Sequence, residues 1–536
     1  MIASTAAATA KIIADAGIER VFGLPGGEVL VLMDALRAAG VDFVLMRHEA
    51  NAGIAAAVHG KLRGQPGVVV ATLGPGAANL MLPLSNAYLD QEPLLAISAQ
   101  LPDEFPASHT HQLLPLHDVY RPIAKHVAKI TAATVGDVVP RALAACMRRP
   151  FGAVYLTLSA REALKPADAA TERPAAAPVA AASPARQGDA EGSANALRDL
   201  LKKAKRPLVM IGLGIDPANA PRIRRWVTEW DLPVAVTPKV KGIVDETAAN
   251  FVGVVGGMAA DDLMRQAIEA ADLRIGFGLD PVEIDSLWHA ELPIHWVLEA
   301  ENVGGIVPAD TPLVDHARVL DALLGTPPPA TWAAPFGEFQ QQRRARLEDR
   351  SSAAGVMWPG DLVKALAAVL PPETIVTTDV GSHKYLFGQF WPSREPQTFW
   401  MSNGLSGMAY GLSAAIGAKL ARPDVPVLAA VGDGGFSMNA QELETAERVG
   451  APFITVVLED GSYSLIKLAQ AGKKLEPYRV EFGPIDTVKM AEACGVDGLR
   501  TTNPDELASA VTRAVESRRS LVVGVPVDDA DYRRLF

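Results

Sequence analysis

The chain reads as an α/β protein of three consecutive domains, each with a central, mostly parallel sheet flanked by helices. Three observations predict this. Short apolar runs alternate with helix-like stretches, which is the pattern of βαβ units. Two segments rich in Ala and Pro interrupt the alternation. The length, 536 residues, exceeds what one hydrophobic core usually serves.

In the first domain, residues 1–165, the expected strands are VDFVLM at 41–46, GVVVATL at 67–73, PLLAIS at 93–98 and AVYLTL at 153–158. Residues 166–192 are mostly Ala and Pro with few large apolar groups and read as a linker. The central domain, 193–326, carries PLVMIG at 207–212, PVAVT at 233–237 and LRIGFG at 273–278. A second Pro-rich linker is expected over 327–355. The third domain, 356–536, has TIVTTD at 374–379, VPVLAAVG at 425–432, a helix over Ala440–Val449 and PFITVVLE at 452–459.

Bulk chemistry narrows the function. The chain has 50 basic and 61 acidic side chains, a net charge of -11, and no Lys/Arg-dense tract to neutralise phosphates, so neither nucleic acid nor membrane is an expected partner. Cys146 and Cys494 are isolated, which supports neither a disulfide framework nor a zinc site and fits a cytoplasmic location. No run of about 18 apolar residues suggests a membrane span. His109, His111, His117 and His126 lack metal-ligand spacing and read as ordinary polar contacts.

The strongest chemical signal is GDGGF at 432–436, at the end of an apolar run, followed by LEDGSY at 458–463 at the end of the next. Asp433 and Asp460 then sit at the carboxyl ends of two strands of one sheet, the edge where open parallel sheets collect ligands. Two carboxylates, a carbonyl, water and phosphate oxygens make a natural magnesium set. Gly432, Gly434 and Gly435 let backbone N–H groups approach a phosphate at a helix start. Read alone, GDG is a turn and a helix cap.

An Asp-centred GDG followed 27 positions later by an acid or amide pair resembles the thiamine-diphosphate motif of the acetolactate synthase, pyruvate decarboxylase and pyruvate oxidase superfamily. The resemblance is closest to acetolactate synthase-like large subunits and covers essentially the whole chain. It implies thiamine diphosphate and Mg²⁺ as cofactors, with the metal held by Asp433, Asp460 and the Ser462 carbonyl. The family usually has two asparagines where this chain has Glu459 and Asp460. DVGSHK at 379–384 resembles the diphosphate-contacting turn and nominates Gly381, Ser382 and His383. In NGLSGMAYGLSAAIG at 403–417, the resemblance makes Met408 the apolar wedge that bends the cofactor and Ser406 the holder of its aminopyrimidine. By composition alone Met408 is a core methionine.

In the first domain, VFGLPGGEVL at 21–30, RHEANAG at 47–53 and TLGPGAANL at 72–80 are strand-end turns expected to converge on one edge. Taken alone, Glu49 is a carboxylate at a helix entry, where the dipole favours it. The order PGG, RHE, GPG resembles the family's pyrimidine-binding domain, which makes Glu49 the carboxyl that hydrogen-bonds the cofactor ring and activates it. Pro25, Gly26, Pro75 and Asn79 are carried over as further cofactor contacts, with Tyr463 and Ile466 from the third domain. The resemblance also implies sites shared between subunits, hence a homodimer or a dimer of dimers.

Substrate choice rests on fewer residues. Gln112 matches a catalytic-segment glutamine, His111 replaces the aromatic that precedes it in the synthases, and Lys125 matches a lysine further on. Gly27, Lys467 and Ala469 complete the expected substrate pocket. Synthases commonly put a larger or amide side chain near Ala469, and GFGLDPVEID lacks the arginine with which some grip the second oxo acid. In relatives the central domain holds FAD or nothing; GLGID here is a glycine turn without the full GxGxxG spacing, so no specific motif supports FAD. The expected activity is decarboxylation of a 2-oxo acid, foremost pyruvate, and ligation to a second oxo acid or an aldehyde. A simple decarboxylase or C–C lyase, and a non-catalytic cofactor-binding paralogue, stay open.

Overall fold

The structure is a computed structural model that describes residues 3–106, 108–167, 189–284, 287–301, 307, 311–325, 332, 336–350 and 354–536. Every strand pair within its three sheets is parallel. The first sheet holds β1 (Arg20–Gly23), β2 (Asp42–Leu45), β3 (Gly67–Ala71), β4 (Leu94–Gln100), β5 (Val127–Lys129) and β6 (Ala153–Ser159) in the order β2-β1-β3-β4-β6-β5. The central sheet holds β7 (Pro207–Ile211), β8 (Val234–Val236), β9 (Phe251–Val254), β10 (Leu273–Phe277) and β11 (His295–Val297), ordered β11-β10-β7-β8-β9. In the third, β12 (Ile375–Thr378), β13 (Phe399–Met401), β14 (Val427–Gly432), β15 (Ile454–Glu459), β16 (Asp497–Arg500) and β17 (Leu521–Pro526) run β13-β12-β14-β15-β17-β16.

Buried strands such as β3 and β17 are apolar throughout because helices cover both faces of a parallel sheet. Of the strands beyond those expected from sequence, β5, β9, β11, β13 and β16 are three- or four-residue strands at sheet margins. Three or four residues make an apolar run too short to stand out in sequence, even where, as in β9 and β13, the strand is buried. β1 and β17 are the exceptions, both in a sheet interior, β1 as a four-residue strand and β17 as an apolar run.

Three local expectations need correction. The helix expected over Ala440–Val449 is there as Glu442–Arg448, but a further helix, Asp433–Asn439, precedes it because the GDGG turn itself starts a helix directly off β14. The stretch expected as a linker at 327–355 contains the helix Gly337–Glu348, which buries Arg343 against the Gln389 carbonyl at 3.2 Å. Most of the first expected linker, 168–188, lies outside the described residues, and the helix Ala190–Lys203 begins within its remainder.

The first and third domains meet through the helices Glu49–Arg63 and Gly411–Ala421, both almost entirely buried and rich in Ala and Gly. A Cβ on Gly417 would lie 2.2 Å from the Ala55 carbonyl oxygen, so only glycine permits this approach. Gly417→Ala is expected to cost about 1–3 kcal/mol by overpacking, read as a lower midpoint in chemical unfolding.

Candidate active site

At the carboxyl edge of the first sheet the turns after β1, β2 and β3 touch one another. A Cβ on Gly26 would lie 2.4 Å from that of Thr72, and Thr72 donates to Glu28 at 2.7 Å. Glu49 opens its helix behind His48, whose Nδ1 accepts the Ala50 N–H at 3.1 Å. The Glu49 side chain is buried against the third turn: Asn79 donates to it at 2.9 Å, and a Cβ on Gly76 would lie 3.2 Å from its other oxygen. Gln112 has a left-handed φ of 58° and packs on Gly74, itself at φ 61°. A cavity of about 200 Å³ beside it is lined by Leu73, Gln100, Gln112, Leu113 and His117. Pro25, Gly27, Pro75 and His111 are exposed on this edge.

Lys125 is not on this edge. It precedes β5 and donates to the carbonyls of Arg148 and Pro150 just before β6, at the amino-terminal ends of the strands. The expected place in the substrate pocket is therefore corrected for Lys125: its ammonium caps carbonyls one sheet-length away from Glu49.

The third domain builds the complementary half. Asp433 starts its helix and accepts from Gly434 N and Gly461 N, both at 2.8 Å, so the turn after β15 docks on the carboxylate at the end of β14. Asp460 accepts from Ser462 N at 2.9 Å and from its hydroxyl at 3.2 Å. Burial, followed by the charge of Asp460, pushes the Asp433 carboxyl up to about 7; burial also raises Asp460. A buried carboxylate that resists ionisation beside a second, half-buried one forms a site suited to a dication. Glu459 is turned toward Thr487, which donates to it at 2.6 Å, and Arg500, which donates at 2.7 Å, while its charge adds to the upward push on Asp433.

Beside the carboxylates the glycine turns close on the His383 ring. Gly381 adopts φ 153°, and a Cβ there or on Gly432 would lie 2.7 or 3.0 Å from the His383 ring. Among the described residues His383 Nε2 is buried without a hydrogen-bond partner, and burial lowers its pKa to about 3. A buried ring nitrogen with no partner is what an incoming oxygen ligand would satisfy. Ser382 and Ser464 share a 2.8 Å hydroxyl contact, Tyr463 packs on Gly434, and Gly435 has room only for its own hydrogen because Asp379 Oδ2 would be 2.0 Å from a Cβ. Asp379 was absent from the sequence nominations. Burial raises its carboxyl to about 6, and it accepts from Ala409 N at 3.0 Å and Tyr410 N at 3.3 Å. Its place at the start of DVGSHK was the available signal.

Met408 is half-buried, not a core methionine, and Ser406, exposed, has a left-handed φ of 54°. Ile466 is 53% exposed and Ala469 is exposed on the same short helix, Ser464–Gly472. Lys467 is held by Glu481 at 2.8 Å and Asp529 at 2.5 Å, which tie that helix to its own domain and leave its ammonium neutralised.

Within one chain the two halves do not face each other. The helices Glu49–Arg63 and Gly411–Ala421 run antiparallel: Asn51, near one start, bonds Glu442, whereas Lys61 reaches Gln91 beside Glu92, to which Tyr410 at the other start donates at 3.1 Å. Glu49 and the Asp379–Asp433 edge thus lie at opposite ends of a helix pair roughly 20 Å long.

The central domain does not fit a dinucleotide at its glycine turn. Gly212 and Gly214 pack on Gly278 and Leu279, and the buried Glu283 carboxylate accepts from Leu213 N at 2.8 Å, Lys239 N at 2.9 Å and Thr237 Oγ1 at 2.5 Å. The chain's own carboxyl group occupies the amides a diphosphate would use. In the segment GFGLDPVEID, Asp280 is buried and accepts from Gln91 at 2.7 Å.

The chain resembles known proteins along nearly its whole length. Residues 3–118, 194–323 and 379–525 match, in turn, the families described as thiamine pyrophosphate enzyme N-terminal TPP binding domain, central domain and C-terminal TPP binding domain. The chain is 30% identical to an acetolactate synthase of Bacillus subtilis, over 96% of this chain and 91% of that protein. It is 30% identical to the acetolactate synthase isozyme 2 large subunit of Escherichia coli, covering 96% and 94%, and 28% identical to a catabolic acetolactate synthase of Raoultella terrigena, covering 96% and 93%.

Proposed function

The chain belongs to the thiamine pyrophosphate enzymes and is acetolactate synthase-like along nearly its whole length, and from that premise we propose that it decarboxylates pyruvate with Mg²⁺ and ligates the product to a second carbonyl. The observation that carries the reading is the pair of complementary edges, Glu49 held by Asn79 on one and Asp433 with Asp460 on the other. When bound, thiamine diphosphate supplies a carbon nucleophile and an electron sink for the departing CO₂. Asp433, Asp460 and the Ser462 carbonyl would hold Mg²⁺; the glycine turns at Gly381 and Gly432 to Gly435, with Ser382 and His383, would hold the diphosphate. Glu49 holds a proton at the pyrimidine nitrogen. Ser406 and Met408 bear on the ring system, with Pro25, Gly26, Pro75, Asn79, Tyr463 and Ile466 around it, and Gln112, His111, Gly27 and Ala469 face the substrate.

Because the edges diverge within one chain, the functional unit is proposed to be a homodimer or a dimer of dimers, with Glu49 completing the neighbour's site. The closed glycine turn at Glu283 supports work without FAD, and the unpaired Cys146 and Cys494 support a cytoplasmic location. The segment GFGLDPVEID, which carries no arginine, supports a second reading of the acceptor, an aldehyde instead of a carboxylate. Incubation with thiamine diphosphate, Mg²⁺ and pyruvate, alone and with 2-oxo acids and aldehydes, followed by mass spectrometry, tests this. Acetolactate from pyruvate alone is the expected product. Cofactor binding with acetaldehyde and CO₂ only would replace ligation by simple decarboxylation.

A further inference from the structure

The loop from Ser402 to Tyr410 holds two non-glycine residues in left-handed backbone, Ser406 at φ 54° and Ala409 at φ 65°. Such conformations cost of order 1–3 kcal/mol each and persist only where the surroundings over-determine them. At its far end the loop is gripped by Asp379 through the amides of Ala409 and Tyr410. The near end is gripped from another domain. Asp90, fully buried in the turn before β4, accepts from Gly404 N at 2.7 Å on one oxygen and from Asn403 N at 3.1 Å on the other.

Asp90 is in turn held by the central domain. Lys239 lies 3.4 Å from it and donates to Glu92 at 2.8 Å and to the carbonyl of Met401, where the loop leaves β13, at 2.9 Å. Glu92 also accepts from Tyr410 Oη at 3.1 Å, and Ser402 Oγ donates to Asn86 at 2.6 Å while accepting from Gly407 N at 2.9 Å. A buried ion pair adds little net stability over an apolar replacement. What this network adds is geometry: all three domains of one chain converge on one strained loop.

We propose that Asp90 is a positioning residue that sets the shape of the 402–410 loop, and with it the seat for the cofactor's ring system, acting through the amides of Asn403 and Gly404. The proposal rests on the thiamine diphosphate reading above. Asparagine at this position has one acceptor oxygen and turns an NH₂ toward a backbone donor, so one loop amide loses its partner and Lys239 loses a counter-charge.

The test is titration of the purified full chain with thiamine diphosphate and Mg²⁺, followed by intrinsic fluorescence and by thermal unfolding. D90N is expected to fold and to bind the cofactor at least tenfold more weakly, with kcat lowered at saturating cofactor and KM for the 2-oxo acid little changed. Y410F, which removes one hydroxyl from the same network, is expected to weaken binding in the same direction by less, and decides the matter if D90N does not fold. E246Q, which breaks the separate buried pair Lys241–Glu246, is expected to lower unfolding temperature without changing cofactor Kd. Unchanged Kd in D90N and Y410F, or an equal Kd change in E246Q, overturns the positioning role while leaving the cofactor reading intact. No binding by the unsubstituted chain overturns both.

Discussion

Glu49→Gln is expected to lower kcat by about 10²- to 10⁴-fold, the range general acid–base catalysis commonly supplies, with folding and Mg²⁺-dependent cofactor binding preserved. Glutamine is nearly isosteric, and its oxygen still accepts the hydrogen bond that Asn79 gives Glu49. What it cannot do is hold and release a proton at a ring nitrogen. Steady-state kinetics beside cofactor titration separates the two effects; full activity in E49Q would remove Glu49 from catalysis.

Asp433→Ala is expected to act at the other step, abolishing measurable cofactor binding because a dication loses one of two side-chain carboxylates. The unliganded chain should fold at least as well as the parent, since the substitution removes a buried acid that burial and Asp460 make hard to ionise. The sign of its pH dependence follows. The folded pKa of about 7 lies above the ordinary 3.8, so this group's contribution to the stability of the unliganded protein is greatest below about pH 4 and is lost as pH rises through 7. Metal binding needs the anion, so apparent cofactor affinity should fall about tenfold per pH unit below 7 and level off above it. A titration across pH 5.5–8.5 that shows no slope would contradict the assignment of Asp433.

The two substitutions together test where the halves meet. Co-expressed E49Q and D433A chains that assemble at random place both lesions in one site of a mixed dimer and leave the other intact. Recovery of activity in the mixture, absent from either variant alone, is the expected result for a shared site; no recovery would confine Glu49 and Asp433 to one subunit.

The sequence by itself determined the three α/β domains and the strand-end turns, because each is a local signal: an apolar run, then a glycine or an acid where the strand stops. Asp433 and Asp460 were legible as strand-end acids for that reason, and Glu49 as a helix-entry carboxylate, whereas Gly381 and His383 were nominated by the family resemblance. Only the tertiary structure decided how distant pieces meet. It put Lys125 at the wrong end of its strands, tied Lys467 to Glu481 and Asp529, turned Glu459 toward Arg500, and filled the central glycine turn with Glu283. It brought Asp379 and Asp90 to the two ends of one loop, and the antiparallel helix pair carried Glu49 away from Asp433. Those outcomes depend on which way a side chain turns and how helices cross, and both are set by contacts between residues hundreds of positions apart, such as Ala55 and Gly417, which no local pattern records.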